Sequence, residues 1–493
     1  MLNRFKTHLP LILIILLGLA LRLVAIFKVG NFTWDELFSF TFSQKNWGNS
    51  LHIWQLETNP PLHLFLLKIW WYIFPPNEFT ARLPSLIFGA LSIWITYLWA
   101  KAMFTRRIAL LSALFVALST IQLYASVLAR VYAALFFLSA LSLYLFYQIF
   151  IAERTEKKII AGYIITQLFL LFSHLTAIEL LMGQLFALII LCSTKNKFWQ
   201  WIKLNFLPIA IWLIWIIPSL IIKFSNPNIG SAWFLNMTGG GAIANLAEIF
   251  LVFPWPWVNI IFLVLFSFLL IIHLAKLAGQ RQNIPKSLIF ILGYLAIPIA
   301  IAIPLNLWNF KFFVIAIPAA TILLAYLMNQ SSSWLSITLL TTYIILQAAG
   351  ILTFIGTFPL VDWSTLNKPI ANLYQPDIKQ TFVVSYYVDK LAFDYYYRAP
   401  MPAVAFMPFD PSQFQEQILK NNYNYLGYKF TTSTVEQWYE KNGLAKQNEI
   451  FLLECNTTPM HLNNFFEANG WHLKNFFPVN IPARYRVYDY VRN

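Results

Sequence analysis

Apolar runs of about 20 residues recur through the first 355 positions of this 493-residue chain, and no other feature limits its fold as much. A run that long crosses lipid as a helix, because a helix meets all its own backbone hydrogen bonds there. The composition agrees. Hydrophobic residues make up 59% and charged residues 11%, which excludes a soluble globular chain of this size. Run lengths predict about eleven spans, near 9–27, 80–103, 107–125, 132–150, 159–175, 177–193, 204–222, 246–272, 288–305, 312–328 and 334–355. Pro254-Trp255-Pro256 is expected to break the eighth. No small-residue cleavage site follows the first apolar run, so it reads as an uncleaved helix.

Charge orients the chain. The net +14 lies wholly in the first 355 residues, which hold 22 basic and 8 acidic side chains; the remainder holds 12 of each. Arg4, Lys101, Arg107, Lys158, Lys197 and Arg281 mark one set of loops, and the positive-inside rule places that set in the cytoplasm. The basicity is therefore mostly topology and not a nucleic-acid signature. An odd number of spans then carries residues 356–493 to the other side as a soluble extracytoplasmic domain. Its strand-like runs, Thr381–Tyr387, Ile450–Leu453 and Arg484–Val491, with a helix over Pro411–Asn422, predict an α/β or α+β fold. Cys192 and Cys455 fall on opposite sides, so no disulfide joins them.

The transmembrane part, 1–355, includes an outer loop, 28–79. Asp35–Trp47 and Leu62–Phe74 read there as amphipathic helices lying in the interface. Several cations fall towards this outer side: Arg22, Lys28, Lys45, Lys68, Arg82, Arg130, Lys223 and Lys311. Topology does not call for them, and they suit a bound anion. Arg22, Lys28 and Lys223 also read as side chains snorkelling to headgroups.

Asp35 is the only aspartate before residue 362, and Glu36 follows it. A carboxylate at a membrane edge is costly and points to function. The plainer reading is that the pair caps a helix N-terminus.

The order of motifs adds to this. After Asp35-Glu36 come Asn59-Pro60-Pro61-Leu62-His63, then Glu78-Phe79-Thr80-Ala81-Arg82-Leu83-Pro84, then Ala129-Arg130-Val131-Tyr132. That order resembles the bacterial GT-C glycosyltransferases related to protein O-mannosyltransferases and the aminoarabinose transferase of lipid A, a glycosyltransferase family 39-like group. The resemblance implies a polytopic α-helical membrane protein of GT-C type in a bacterial inner (plasma) membrane. It implies transfer of a monosaccharide, with inversion, from a polyprenyl-phosphate donor to an acceptor hydroxyl on a lipid, glycan or protein. By match to the motifs, Asp35 is the general base and Glu36 orients the acceptor or Asp35, or caps the helix. Arg130, Lys311 and Arg82 are the donor-phosphate cations, Arg82 being equally readable as a partner of Glu78 one turn away. His63, His174 and Trp34 are candidate sugar or acceptor contacts, each histidine also readable as a packing residue. The chain has Lys311-Phe312 where relatives often have Arg-Tyr, Asn59 where they have His, and Leu128 where they have an acid.

No metal or other cofactor is expected, since a divalent ion with oxygen ligands wants more carboxylates than this pair. A membrane transporter or lipid flippase is the alternative. It would carry inverted repeats and paired broken helices, and the sequence has no repeat.

Overall fold

The computed structural model describes residues 2–492 except 58, 193, 225–239, 253, 306–309, 358–362, 386–388, 407–431, 456–461 and 479–484. The chain forms two compact units. The first comprises Met1–Val29, Glu57–Leu220 and Trp233–Phe358; the second comprises Gly30–Leu56, Ile221–Ala232 and Pro359–Asn493. The segment that carries Asp35 thus groups with the C-terminal residues.

In chain order the helices are α1 (Leu2–Val29), α2 (Trp34–Ser43), α3 (Trp47–Leu56), α4 (Leu62–Trp70), α5 (Glu78–Met103), α6 (Arg106–Leu118) and α7 (Thr120–Val127). They continue as α8 (Tyr132–Phe146), α9 (Lys157–Leu171), α10 (Ala177–Cys192), α11 (Lys195–Phe224), α12 (Gly240–Glu248) and α13 (Pro256–Gly279). Then come α14 (Lys286–Leu305), α15 (Phe310–Phe313), α16 (Ile317–Gln330) and α17 (Ser333–Thr357). All but α2, α3 and the last residues of α11 belong to the first unit.

The protein is an integral membrane protein. Among the described residues, 7 helices have the length and composition to cross a bilayer; they lie in α1, α5, α8 with the π-helical turn that continues it to Ile151, α11, α13, α14 and α17. The pair α6–α7 makes an eighth if taken as one span bent by 56°. The remaining predicted spans are also helical, as α9, α10 and α16, but have only 15, 16 and 14 residues. At 1.5 Å per residue that is about 21–24 Å, short of the roughly 30 Å hydrocarbon layer. Run length alone does not tell such helices from full spans, because a helix inside the bundle is apolar for a different reason. Every residue of α16 from Ile317 to Met328 is buried in protein. By contrast α13 exposes Ile261, Val264, Leu265, Phe268 and Ile271, the side that lipid covers. The predicted run 246–272 does break before Pro256: α12 ends at Glu248 and α13 begins at Pro256. Pro256 occupies the first turn of α13, where its missing N–H costs nothing, and the helix runs on to Gly279.

The predicted single span 107–125 departs most from a straight rod. Ser119 is extended, and α6 and α7 meet there at 56°. Such a break frees backbone groups that lipid cannot satisfy. Side chains meet them. The Ser119 hydroxyl accepts from Gln122 N at 3.3 Å. Gln347 of α17 offers its Oε1 to Thr120 N at 3.3 Å and to the Thr120 hydroxyl at 2.9 Å. From α1, Arg22 donates to Ala117 O at 3.3 Å and Val116 O at 3.4 Å. Arg22 does not snorkel to headgroups as the sequence suggested. Its exposure is 0%.

In the second unit a five-stranded sheet has β1 (Gln380–Val384), β2 (Ala403–Ala405), β3 (Glu449–Cys455), β4 (His472–Pro478) and β5 (Tyr485–Val491) in the order β2-β1-β3-β5-β4. β1 pairs in parallel with β2 and β3, and β5 pairs antiparallel with β3 and β4. The helix Lys390–Tyr396 makes the crossover from β1 to β2 that a parallel pair requires. The expected strands near 381, 450 and 485 are present; β2 and β4 were not foreseen. The expected helix Pro411–Asn422 lies outside the described residues.

Candidate active site

The acidic pair opens α2. Thr33 is the N-cap, and its hydroxyl accepts from Glu36 N at 3.4 Å. In return, the Glu36 carboxylate accepts from Thr33 N at 2.9 Å and from the Thr33 hydroxyl at 3.1 Å. This is a capping box, and Glu36 is fully buried in it. So Glu36 holds the helix start, one of the roles its sequence allowed. Asp35 is not the cap. It sits one residue earlier in the first turn and is half-buried. Of Trp34 the structure describes the backbone in the same turn.

Aromatic packing fixes α2 within its own unit. Phe32 N donates to the Tyr396 hydroxyl at 2.7 Å. The Phe32 and Phe40 rings lie 4.9 Å apart, and both pack on Tyr395, at 5.6 Å and 5.1 Å.

In the first unit Arg130 and His63 meet at one turn, Leu128–Val131, between α7 and α8, and His174 lies beside Tyr132 just after it. Arg130 N donates to Leu128 O at 2.8 Å, and the Ser85 hydroxyl of α5 donates to Arg130 O at 3.2 Å. His63 of α4 lies 2.7 Å, through Nε2, from Ala129 O. A carbonyl only accepts, so the His63 proton is on Nε2. Three bonds therefore pin the backbone that carries the Arg130 guanidinium, which is itself half-buried. Leu62 N, at the start of α4, donates to Phe172 O at 2.9 Å and ties α4 to the end of α9.

Burial and the Arg130 charge push the His63 pKa down to about 3. The imidazole is thus neutral across the physiological range, as a donor to a carbonyl beside a guanidinium should be. His63→Gln keeps an N–H in reach of Ala129, whereas His63→Leu orphans that carbonyl. We expect the leucine variant to lose about 1–3 kcal/mol of stability and the glutamine variant less, as read by unfolding in detergent. Equal losses would remove the bond as the cause.

His174 follows α9. Its Nδ1 accepts from Thr176 N at 3.3 Å and lies 3.0 Å from the Thr176 hydroxyl, which leaves the proton on Nε2. Its ring lies 6.3 Å from Tyr132, two residues after Arg130, and 6.2 Å from Phe312, next to Lys311. The structure describes Lys311 by its backbone, in α15. Arg82 of α5 is buried, with 1% of its surface exposed. Sequence reasoning passed over Ser85 at this turn and the buried Glu57 elsewhere in the unit. Ser85 follows Arg82 by less than one turn and touches Arg130. Glu57, three residues before Pro60, is a buried carboxylate at 8% exposure; its position beside the proline pair was the available signal.

Chemically, a forked cation on a fixed turn suits a phosphate group. A half-exposed carboxylate on a capped helix suits proton acceptance. Among the described residues no three His, Cys, Asp or Glu side chains gather to hold a metal ion.

Residues 58–222, which include the Arg130 turn, match the family model described as dolichyl-phosphate-mannose-protein mannosyltransferase. The whole chain superimposes on ArnT from Cupriavidus metallidurans bound to undecaprenyl phosphate, with TM-score 0.59, 14% identity and 97% of each chain covered. The chain has the GT-C fold. The apo state of the same ArnT gives TM-score 0.60 at 14% identity over 97% of each chain. A second solved structure, the Archaeoglobus fulgidus oligosaccharyltransferase complexed with Zn and sulfate, gives TM-score 0.52 at 13% identity, covering 90% of this chain and 67% of that one. No curated protein matches the sequence. Within this GT-C fold the second unit is covered too, so the likeness extends past the helices that the sequence motifs mark.

Proposed function

We propose that the protein is an inverting glycosyltransferase. It moves a hexose or pentose from a polyprenyl-phosphate donor to an acceptor hydroxyl on a lipid, glycan or protein, at the outer face of a bacterial plasma membrane. One observation carries this reading: a GT-C fold over 97% of the chain, shared with a protein solved with undecaprenyl phosphate. The pinned Arg130 turn, within the segment that matches the mannosyltransferase family model, adds to it.

The roles follow from charge flow. The acceptor hydroxyl loses a proton as it attacks the anomeric carbon, and Asp35 takes it. The leaving lipid phosphate gains negative charge, and Arg130 with Lys311 meets it. Arg82 is a further cation for the phosphate, and His63, His174 and Trp34 are contacts for sugar or acceptor, with His63 acting through the Arg130 turn. Counting α9, α10, α16 and the bent pair as spans gives eleven. The N-terminus is then cytoplasmic and the C-terminal sheet lies outside.

The test is turnover of purified protein with polyprenyl-phosphate sugars in lipid nanodiscs and candidate acceptors. Transfer with inverted anomeric configuration is the expected result. Lipid movement across proteoliposomes without transfer would mark a transporter or flippase instead.

Transfer needs no metal in this scheme, because Glu36 is engaged in its capping box and Asp35 alone is a poor divalent site. A chelator is expected to leave the rate within about twofold, a span of roughly 0.4 kcal/mol in the barrier. Loss of activity restored by one divalent ion would overturn that expectation.

A further inference from the structure

Arg22 sits about two turns from the end of an apolar helix at 0% exposure, and among the described residues no carboxylate pairs with it. Its partners are all neutral oxygens. Nη1 donates to Gly18 O at 2.8 Å and Ala117 O at 3.3 Å, Nη2 to Val116 O at 3.4 Å, and Nε to the Ser126 hydroxyl at 3.1 Å. Val116 and Ala117 end α6; Ser126 ends α7. In a straight helix Ala117 and Ser126 would be about 13.5 Å apart along the axis, beyond the reach of one guanidinium. The bend at Ser119 brings them onto a single side chain. The positive charge also faces the negative end of the α6 dipole.

Space is made for this group. A Cβ at Gly89 of α5 would overlap the Ser126 hydroxyl and lie 3.0 Å from Arg22 Nε; one at Gly18 would lie 3.1 Å from Nη1. Ser126 in turn donates to Gln122 O at 2.5 Å, so the strut ends on the backbone of α7. Two residues beyond Ser126 the chain enters the Leu128–Val131 turn.

We propose that Arg22 is a positioning residue: a strut across the bend of α6–α7 that sets the direction of α7 and so the placement of Arg130. The inference rests on the reading of Arg130 as the donor-phosphate cation. A lysine cannot reproduce it, since one ammonium does not fork to both helices.

The experiment measures undecaprenyl phosphate binding to the full chain in nanodiscs, for the wild type, Arg130→Ala, Arg22→Met, Gly89→Ala and the double variant Arg22→Met/Arg130→Ala. Thermal melting confirms folding. Arg22→Met is expected to weaken binding about tenfold or more, and the double variant to bind within about twofold of Arg130→Ala, because both act through one group. A merely structural role would give additive losses. Wild-type affinity in Arg22→Met, or additivity, overturns the proposal. Should Arg22→Met fail to fold, Gly89→Ala decides. It keeps the guanidinium but pushes it from Ser126, and unchanged binding there overturns the strut. If the wild type binds no better than Arg130→Ala, the donor reading of Arg130 fails instead. The bend itself then decides: an Arg22→Met structure with α6–α7 still at 56° overturns the strut, and a straightened one supports it.

Discussion

Asp35→Asn is expected to abolish transfer while leaving polyprenyl-phosphate binding nearly unchanged. The two side chains have almost the same shape, so what changes is the ability to take a proton. General-base catalysis contributes about 10²–10⁴-fold, and a loss of that order is predicted. The fold should tolerate the change. Thr33 and Glu36 cap α2 without help from Asp35, and Tyr396 and the Phe32–Phe40–Tyr395 rings hold it in place. Glu36→Gln, by contrast, should weaken the capping box by about 1 kcal/mol and lower stability before it lowers chemistry. Single-turnover transfer with radiolabelled donor, beside a binding isotherm, separates the two. Normal turnover in Asp35→Asn would remove Asp35 as the base.

Arg130→Ala should both raise the donor concentration needed and slow the chemical step. On the proposed reading, the same guanidinium binds the ground-state phosphate and meets the charge that grows on it as the sugar departs. Removing one preorganised donor of that kind costs about 10²–10³ in turnover. Arg130→Lys should recover part of the binding but less of the rate, since an ammonium offers charge without the planar fork. Because Ser85 and His63 hold the turn through its carbonyls, the alanine variant should melt close to the wild type. An unchanged donor dependence would take Arg130 out of the site.

The sequence revealed the class of fold and the order of its parts because run length and loop charge are strong, local signals. It does not say which runs cross lipid at full length, because apolarity does not distinguish lipid from protein as the neighbour. α16 is apolar and buried; α13 is apolar and lipid-facing. Arg130 and Asp35 were legible as charges where charge is costly. The use of Glu36 was half legible: Thr33-Trp34-Asp35-Glu36 has capping-box spacing, but only backbone geometry shows Glu36 turned back onto Thr33. Arg22 was misread, since its partners are carbonyls of residues 94 and 95 positions away, and sequence spacing carries no trace of them. Only the glycines at 18 and 89 hinted that something bulky needed room.

The anchoring of α2 on Tyr395 and Tyr396 has an evolutionary consequence. A C-terminal domain that looks like an accessory, separable at residue 359, carries the hydroxyl and rings that steady the short helix bearing Asp35. Cropping the tail at that border would leave residues 30–56 without their support. A chimera that exchanges tails between relatives must therefore trade two distant stretches of gene together, or inherit Asp35 on a loose hinge.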